Sequence, residues 1–455
     1  MHPIFVRKVF DPLVDVTSGK YTCKAYSELM KTQWLSEDEL IVYQEKKLRR
    51  LINHVYEYVP YYRNLFKKNN IVPSTIKSLR DLEKIPISDK TTIRNSSGYP
   101  NCMFARSQSK RRVTFGHTGG TTGEPLILAK DINTRSYTWA AYWRWLSWMG
   151  LNRGDKSATI WGQPVLQTSV KENLVKTLAD KMNNTIRLNA YNLNNNDLGL
   201  FTEKIMKFKP KHLHGYTSSM IAFARYVERN SIDLPPMKIS TTAEVLEPHH
   251  RQYLQHIFGN EIFDQFGCGE CNSIAFECGA HEGLHVSSEH LIAEISDDCH
   301  KYGENKGELI LTDLDNFYMP VIRYKNGDVI EIADEQCTCG RNLPLIKSIG
   351  GRIADLIVTP NGKNADFNYF RQVLHDLNWY DHYDIQKYQV VQEREDQVTW
   401  NIEVAGDIPP VNSVKKLIMA VENDLAGVNL DIRFVEDIPK EPNGKFRYMK
   451  SYLKL

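Results

Sequence analysis

The chain of 455 residues has no long uninterrupted apolar run, and no span approaches the roughly 20 apolar residues that cross a bilayer. Its opening residues, Met1 to Lys8, lack the apolar core of an export signal. Neither sign of charge dominates. A net charge of +2 gives no reason to expect a nucleic-acid partner or an acidic membrane surface. Cysteine is sparse outside one region: of eight, only Cys23 and Cys102 lie outside the span from Cys268 to Cys339. Without an export signal, such clustering points to metal binding or buried thiols more than to disulfides. These absences leave a cytoplasmic protein as the expectation. The composition, 42% hydrophobic and 25% charged, is that of a globular protein.

What the chain does carry begins with Gly116-His117-Thr118-Gly119-Gly120-Thr121-Thr122-Gly123-Glu124-Pro125. Glycines let backbone approach a ligand closely, and successive N–H groups with threonine hydroxyls can surround an anion. The Gly-Lys-Ser/Thr ending of a Walker loop is missing. Alone, the stretch reads equally well as a surface turn. A strand (126–129) and a helix (133–149, closed by Gly150) are expected next. Trp139, Tyr142, Trp143, Leu146 and Met149 recur at helical spacing and read as a buried face. Upstream, Ser36 and Glu39 have capping-box spacing before the helical pattern Leu40, Tyr43, Leu48, Leu51, Ile52, Val55, which Pro60 should end.

From residue 157 strand-like and helix-like segments alternate, with strands at 157–161, 185–188, 212–216 and 238–242. This predicts α/β units with a largely parallel sheet, whose ligands collect at the carboxyl ends of the strands. Gly215-Tyr216-Thr217-Ser218 and Ala243-Glu244-Val245-Leu246 fall at two such ends. Asp264-Gln265-Phe266-Gly267-Cys268-Gly269-Glu270 then follows a short strand. Its ring can stack on a base, Asp264 can accept from an exocyclic amine, and Glu270 can hold a hard cation through oxygen. A glycine turn with a solvated Glu270 fits the motif as well when it is taken alone.

Together these stretches resemble the adenylate-forming, acyl-CoA synthetase-like superfamily, and more closely its phenylacetate-CoA ligase and CapK-type branch. Thr118 to Pro125 is similar to the family's ATP-phosphate loop. Phe266-Gly267-Cys268-Gly269-Glu270 resembles its Tyr-Gly-x-Thr-Glu motif, with Phe for Tyr and Gly for Thr. Three more motifs follow in family order: Arg323 to Asp328, Gly351-Arg352-Ile353-Ala354-Asp355, and Pro439 to Lys445. The resemblance implies that Thr118, Gly119, Gly120, Thr121, Thr122, Gly123, Glu244, Asp264, Phe266, Gly267, Asp328 and Arg352 bind nucleotide. Asp328 would hold the ribose, with Arg352 near ribose and phosphate. Glu270 would hold Mg²⁺, and Lys445 would be the catalytic lysine, bridging substrate carboxylate and α-phosphate. The implied fold is α/β: a large N-terminal adenylation domain (1–351) with mostly parallel sheets, and a small mobile α+β C-terminal lid domain (352–455).

The implied function is ATP-dependent activation of a carboxylic acid as an acyl-adenylate, then acyl transfer to CoA or an amine. CapK-type relatives occur in polysaccharide biosynthesis. The N-terminal extension and Leu356 to Lys363 lean slightly to that side. A catalytically inactive nucleotide-binding scaffold is the alternative, against which Glu270 and Lys445 are both present. Trp161, Tyr216 and Phe276 are candidates to line a pocket for an aromatic acid. Cys278-x2-His281 and Cys337-x-Cys339 have the donor types of a tetrahedral Zn²⁺ site, which some relatives in this branch carry; His285 is a rival nitrogen ligand and Cys268-x2-Cys271 a rival half-site. The expected assembly is a monomer or homodimer.

Overall fold

The computed structural model describes residues 2–106, 113–117, 126–162, 177, 179–190, 193–296, 305–352, 357–360, 364–365, 367–441 and 446–453. Thr118, Gly119, Gly120, Thr121, Thr122, Gly123 and Lys445 lie outside the described residues. Helix α1 (Glu37–Tyr58) starts at the expected capping box, in which Ser36 Oγ accepts from Glu39 N–H at 3.3 Å and Glu39 Oε2 accepts from Ser36 N–H at 2.9 Å. Leu40, Leu48, Leu51, Ile52 and Val55 form its buried face. The helix ends at Tyr58, just before Pro60, as expected. Pro60 itself occupies the first turn of α2 (Pro60–Lys68), where its missing N–H would have had no partner.

Strands β1 (Thr114–His117) and β2 (Ile127–Lys130) pair antiparallel, with His117 opposite Ile127, so the two ends of the Gly/Thr stretch leave a paired ladder. Helix α3 (Ile132–Trp148) follows. Asp131 Oδ1 caps it, accepting from the N–H groups of Asn133 (2.9 Å) and Thr134 (3.1 Å).

The large sheet has eleven strands. Five are parallel: β3 (Ser157–Trp161), β4 (Thr185–Asn189), β5 (His212–Tyr216), β6 (Lys238–Thr242) and β7 (Ile262–Phe266), in the order β4-β3-β5-β6-β7. Crossover helices α4 (Asn195–Phe208), α5 (Thr217–Arg229) and α6 (Pro248–Phe258) follow β4, β5 and β6. Strand β5 is buried along its whole length even though it carries two histidines. His212 Nε2 and His214 Nδ1 both reach Ser240 Oγ on β6, at 2.7 and 2.8 Å, which satisfies the two rings inside the sheet. Beyond β7 the pairing turns antiparallel through β8 (Ala275–Glu277), β9 (Leu284–Val286), β10 (Leu291–Ile295), β11 (Lys306–Asp313), β12 (Tyr324–Ile332) and β13 (Leu345–Arg352), running β7-β8-β9-β13-β12-β11-β10.

After β13 a second, smaller unit begins. It has the short pair β14 (Ile357–Val358) and β15 (Asn364–Ala365), helix α7 (Phe367–Asp376), the hairpin β16 (Ile385–Arg394) and β17 (Gln397–Val404), helix α8 (Val411–Asp424), and strands β18 (Asn429–Phe434) and β19 (Met449–Ser451). The last four strands form one sheet in the order β18-β17-β16-β19. This unit buries its own core, including Phe370, Tyr388, Trp400, Leu417 and Val421. Among the described residues no helix is long and apolar enough to cross a membrane.

Trp400 is fully buried against Phe370 (ring centroids 5.0 Å) and Tyr388 (5.8 Å), and its Nε1–H has no acceptor. Trp400→Ala should cost about 3–5 kcal/mol of the stability of this unit in urea unfolding, through the cavity it leaves. Trp400→Phe should cost less, because the unsatisfied N–H leaves with the indole.

Candidate active site

The carboxyl ends of β5, β6 and β7 open on one cavity of about 1740 Å³. It gathers Glu244, Asp264, Phe266, Gly267, Glu270 and Asp328, and it reaches Gly351 and the C-terminal unit's Phe446. Parallel strands of a crossover sheet all end on the same side, which is why residues distant in sequence meet there. Asp264 and Phe266 are two apart on β7 and so share a face.

Asp264 is buried, accepts a hydrogen bond from Thr241 Oγ1 at 2.8 Å, and has its own N–H held by Glu277 Oε2 at 2.7 Å. Burial, with the neighbouring Glu277 charge adding to it, pushes the Asp264 carboxyl up to about 7, against the pull of Thr241 and Arg251. Phe266 ends the strand with its ring at the cavity wall. Gly267 follows where a Cβ would come within 3.2 Å of Ser273 N, so the turn beneath the ring is tight for any larger residue. Glu270 accepts a hydrogen bond from the Tyr324 hydroxyl at 2.9 Å. Burial, then the Glu270 charge, raises the Tyr324 phenol well above its usual value, which keeps it a donor. Tyr324 begins β12, which also carries Asp328. Asn326 Nδ2 donates to Asp328 Oδ2 at 2.6 Å, and Gly327 between them turns with φ +83°. The backbone of Arg352 lies opposite Asp328 in the β12–β13 register.

Glu244, in the cavity wall, is held by protein groups. Its carboxylate accepts from Ser218 N–H (2.6 Å), Ser218 Oγ–H (3.0 Å) and Phe446 N–H (2.8 Å). It thus binds the first turn of α5 and grips the C-terminal unit at the residue after Lys445. Burial raises its pKa, and the Ser218 and Phe446 N–H groups oppose that rise. No sequence motif marks Ser218 or Phe446 for this contact.

A second arm of the cavity is aromatic. Trp161 stacks on His214 (5.6 Å) and meets Tyr216 (4.8 Å), and all three line the space. Phe276 does not join them; it is fully buried against Trp145 at 5.1 Å. On α3 the expected buried face divides: Leu146 and the following Met149 are buried, while Trp139, Tyr142 and Trp143 line the cavity and Trp139 is half exposed; Ala140, Ala141, Arg144 and Trp145 are also buried. Spacing alone does not separate the two, because a wall of a large cavity and a wall of a core want the same residues.

The cysteine-rich segments meet below β13. Cys278 Sγ lies 3.6 Å from Cys337 Sγ, and Cys339 Sγ lies 3.3 Å from His285 Nε2. The four ligand atoms of Cys278, His285, Cys337 and Cys339 fall within 4.8 Å of one another. Ligands about 2.1–2.3 Å from a tetrahedral Zn²⁺ are separated by about 3.4–3.8 Å, so these atoms are spaced to hold one. His285 Nδ1 approaches Leu343 O at 3.3 Å, which leaves Nε2 as the lone-pair nitrogen. Thr338 donates to both oxygens of Glu282, at 2.8 and 2.7 Å, tying the two segments together. The fourth partner is therefore His285 rather than His281. His281 sits in a left-handed turn (φ 56°), with Nδ1 3.1 Å from Glu277 Oε1 and its ring on Phe263. The other cysteine pair stays apart: Cys271 N–H donates to Cys268 Sγ at 3.2 Å, in the turn that presents Glu270.

Comparison with known proteins places these features. A family model described as the CapK C-terminal domain matches residues 357–452. Protein CapK of Staphylococcus aureus is 24% identical over 443 residues, covering 96% of this chain and 94% of its own. Phenylacetate-coenzyme A ligase of Aromatoleum evansii is 29% identical over 338 residues, covering 71% of this chain and 72% of its own. The solved structure of a 2-hydroxyisobutyryl-CoA ligase in the postadenylation state, in complex with R3-HIB-AMP, superposes with a TM-score of 0.71 at 18% identity, covering 92% of this chain and 90% of that one. This last likeness is one of fold.

Two outcomes follow from the geometry. The folded Asp264 carboxyl titrates near 7, above its unfolded value of about 3.9, so its contribution to stability is full at acid pH and is lost as pH rises through about 7. Asp264→Asn should therefore melt higher relative to wild type at pH 8 than at pH 5 in calorimetry. By elemental analysis, His285→Ala should carry about one equivalent less zinc per chain than wild type, and His281→Ala should match wild type.

Proposed function

We propose that this chain, an AMP-forming ligase of the adenylate-forming superfamily in its phenylacetate-CoA ligase and CapK branch, activates a carboxylic acid on ATP and passes the acyl group to an amine or to CoA. A carboxylate oxygen attacks the α-phosphorus, the bond to the β-phosphate oxygen breaks, and pyrophosphate leaves. The acceptor then attacks the acyl carbon and AMP departs. Negative charge builds on phosphoryl oxygens in the first step, so preorganised donors and cations are what it requires.

Phe266 stacks the base, Asp264 accepts from its exocyclic amine, and Asp328 holds the ribose hydroxyls with Arg352 nearby. The loop from Thr118 to Gly123 supplies N–H groups and hydroxyls to the phosphates. Glu270, steadied by Tyr324, would hold Mg²⁺, which supplies positive charge at the phosphates. Lys445 bridges substrate carboxylate and α-phosphate. The observation that carries this reading is the 2.8 Å bond from Phe446 N–H to Glu244, which brings the chain neighbour of Lys445 to the cavity that holds Phe266 and Asp328. The aromatic arm with Trp161 and Tyr216 suits an aromatic or otherwise flat acid. A residue on a separate unit (352–455) can enter for one half-reaction and leave for the next. The cysteine cluster, with no open ligand position, is structural.

For the acceptor, an amine and a role in polysaccharide biosynthesis are favoured. The C-terminal unit matches the CapK C-terminal family, and CapK aligns along nearly the whole chain, whereas the phenylacetate-coenzyme A ligase aligns over 71% of it.

Pyrophosphate exchange across a panel of carboxylic acids tests the reading. Lys445→Ala should abolish exchange while ATP still binds by calorimetry; ATP binding without exchange for any acid would support the scaffold instead. Glu244→Ala removes a charge-assisted contact worth about 1.5–3 kcal/mol, so the exchange rate should fall by about ten- to a hundredfold with little change in KM for ATP.

A further inference from the structure

Outside the cavity and the cysteine cluster, a third group of donors converges where the two units touch. Glu247, His249 and His250 precede and open α6, and one donor atom from each lies within 4.8 Å of the others. Glu247 is fully buried with the Tyr380 and Tyr448 hydroxyls beside its carboxylate, and its Oε1 has no hydrogen-bond partner. His250 is 4% exposed, and its Nδ1 also has none. Two unpartnered polar atoms this deep are a substantial penalty unless something fills the space between them.

The tautomers point to what that is. His250 Nε2 faces Gln386 O at 3.4 Å, and a proton on Nε2 directed at that carbonyl would leave the unpartnered Nδ1 with a bare lone pair. This is the arrangement in which a second-shell carbonyl orients a ligating histidine. His249 Nδ1 lies 3.2 Å from Glu247 Oε2. Bonds of about 2.0–2.1 Å to a tetrahedral ion place neighbouring N and O ligands about 3.3 Å apart. We propose that Glu247, His249 and His250 bind a single divalent transition-metal ion at the joint between the large domain and the C-terminal unit.

The donor set selects the ion. Two imidazoles and one carboxylate suit Zn²⁺, Co²⁺ or Ni²⁺; Mg²⁺ and Ca²⁺ take oxygen. Arg371 is a charged neighbour of Glu247 and His249, so attraction to net negative charge does not hold the ion and nitrogen bonds must. All three donors belong to the large domain, while the cover belongs to the other unit: Tyr380 Oη donates to Glu247 Oε2 at 3.3 Å, and the Tyr380 ring stacks on His249 at 4.4 Å. Rotation of the C-terminal unit would uncover the site, so occupancy and lid position are linked. The coupling would favour the arrangement in which Glu244 grips Phe446.

Co²⁺ titration of the metal-stripped full-length protein tests this. Thiolate ligands give an intense near-ultraviolet charge-transfer band, whereas an N/O site gives only weak visible bands, so the cysteine cluster and this site report separately. Wild type should take up about one equivalent of Co²⁺ that adds visible absorption without the thiolate band and resists millimolar Mg²⁺. His250→Ala and Glu247→Gln should each lose that equivalent and keep the thiolate band, which also shows that they fold. Equal Co²⁺ uptake in wild type and both variants, or loss of the visible bands to Mg²⁺, would overturn the proposal.

Discussion

The Glu244 carboxylate links the two halves of this protein at the cavity. Glu244 takes hydrogen bonds from Ser218, at the start of a crossover helix, and from the backbone N–H of Phe446, two hundred residues further along. A buried carboxylate is tolerated only when such donors surround it. One of the three donors belongs to the other unit, so Glu244 is fully satisfied with that unit in place, where Phe446, Tyr448 and Met449 help line the cavity.

The large domain prepares the other side of that contact with burial and hydrogen bonds to backbone. Asp264 is held near neutrality by its surroundings, Tyr324 is held as a donor to Glu270, and Gly267 lets the turn fold under the Phe266 ring. Each comes from the end of a strand or the turn beyond it, so the ladder fixes its position. Further out, the cysteine cluster sets the segment after β8 beside the loop before β13, and β13 carries Gly351 at the cavity and leads into the C-terminal unit.

Much of this was legible in the chain. Strand and helix alternation from residue 157 marked the parallel half, because a strand buried on both faces and an amphipathic crossover helix have different periods. The Ser36 capping box started its helix as read. Pro60 marked the end of that helix, and it also opens the next one, because a proline that stops one helix fits the first turn of another. The aromatic stripe of α3 was visible, but whether it faced a core or a cavity was not. His281 had the tighter spacing to Cys278, yet His285 is the residue that strand β9 carries to the cysteines.

Residues within a few positions of one another, joined by turn chemistry, motif order or periodicity, were determined by the sequence itself: the elements, the order of the nucleotide motifs, and the candidate positions Asp264, Phe266, Glu270 and Asp328. What only the tertiary structure decided were pairings across long separations: Glu244 with Phe446, Tyr324 with Glu270, His285 with Cys339, and the Glu247, His249 and His250 group under Tyr380. The physical reason is that a side chain's partner is set by where the packed sheet and helices place it, and local pattern carries the period of an element but not the neighbour it will meet.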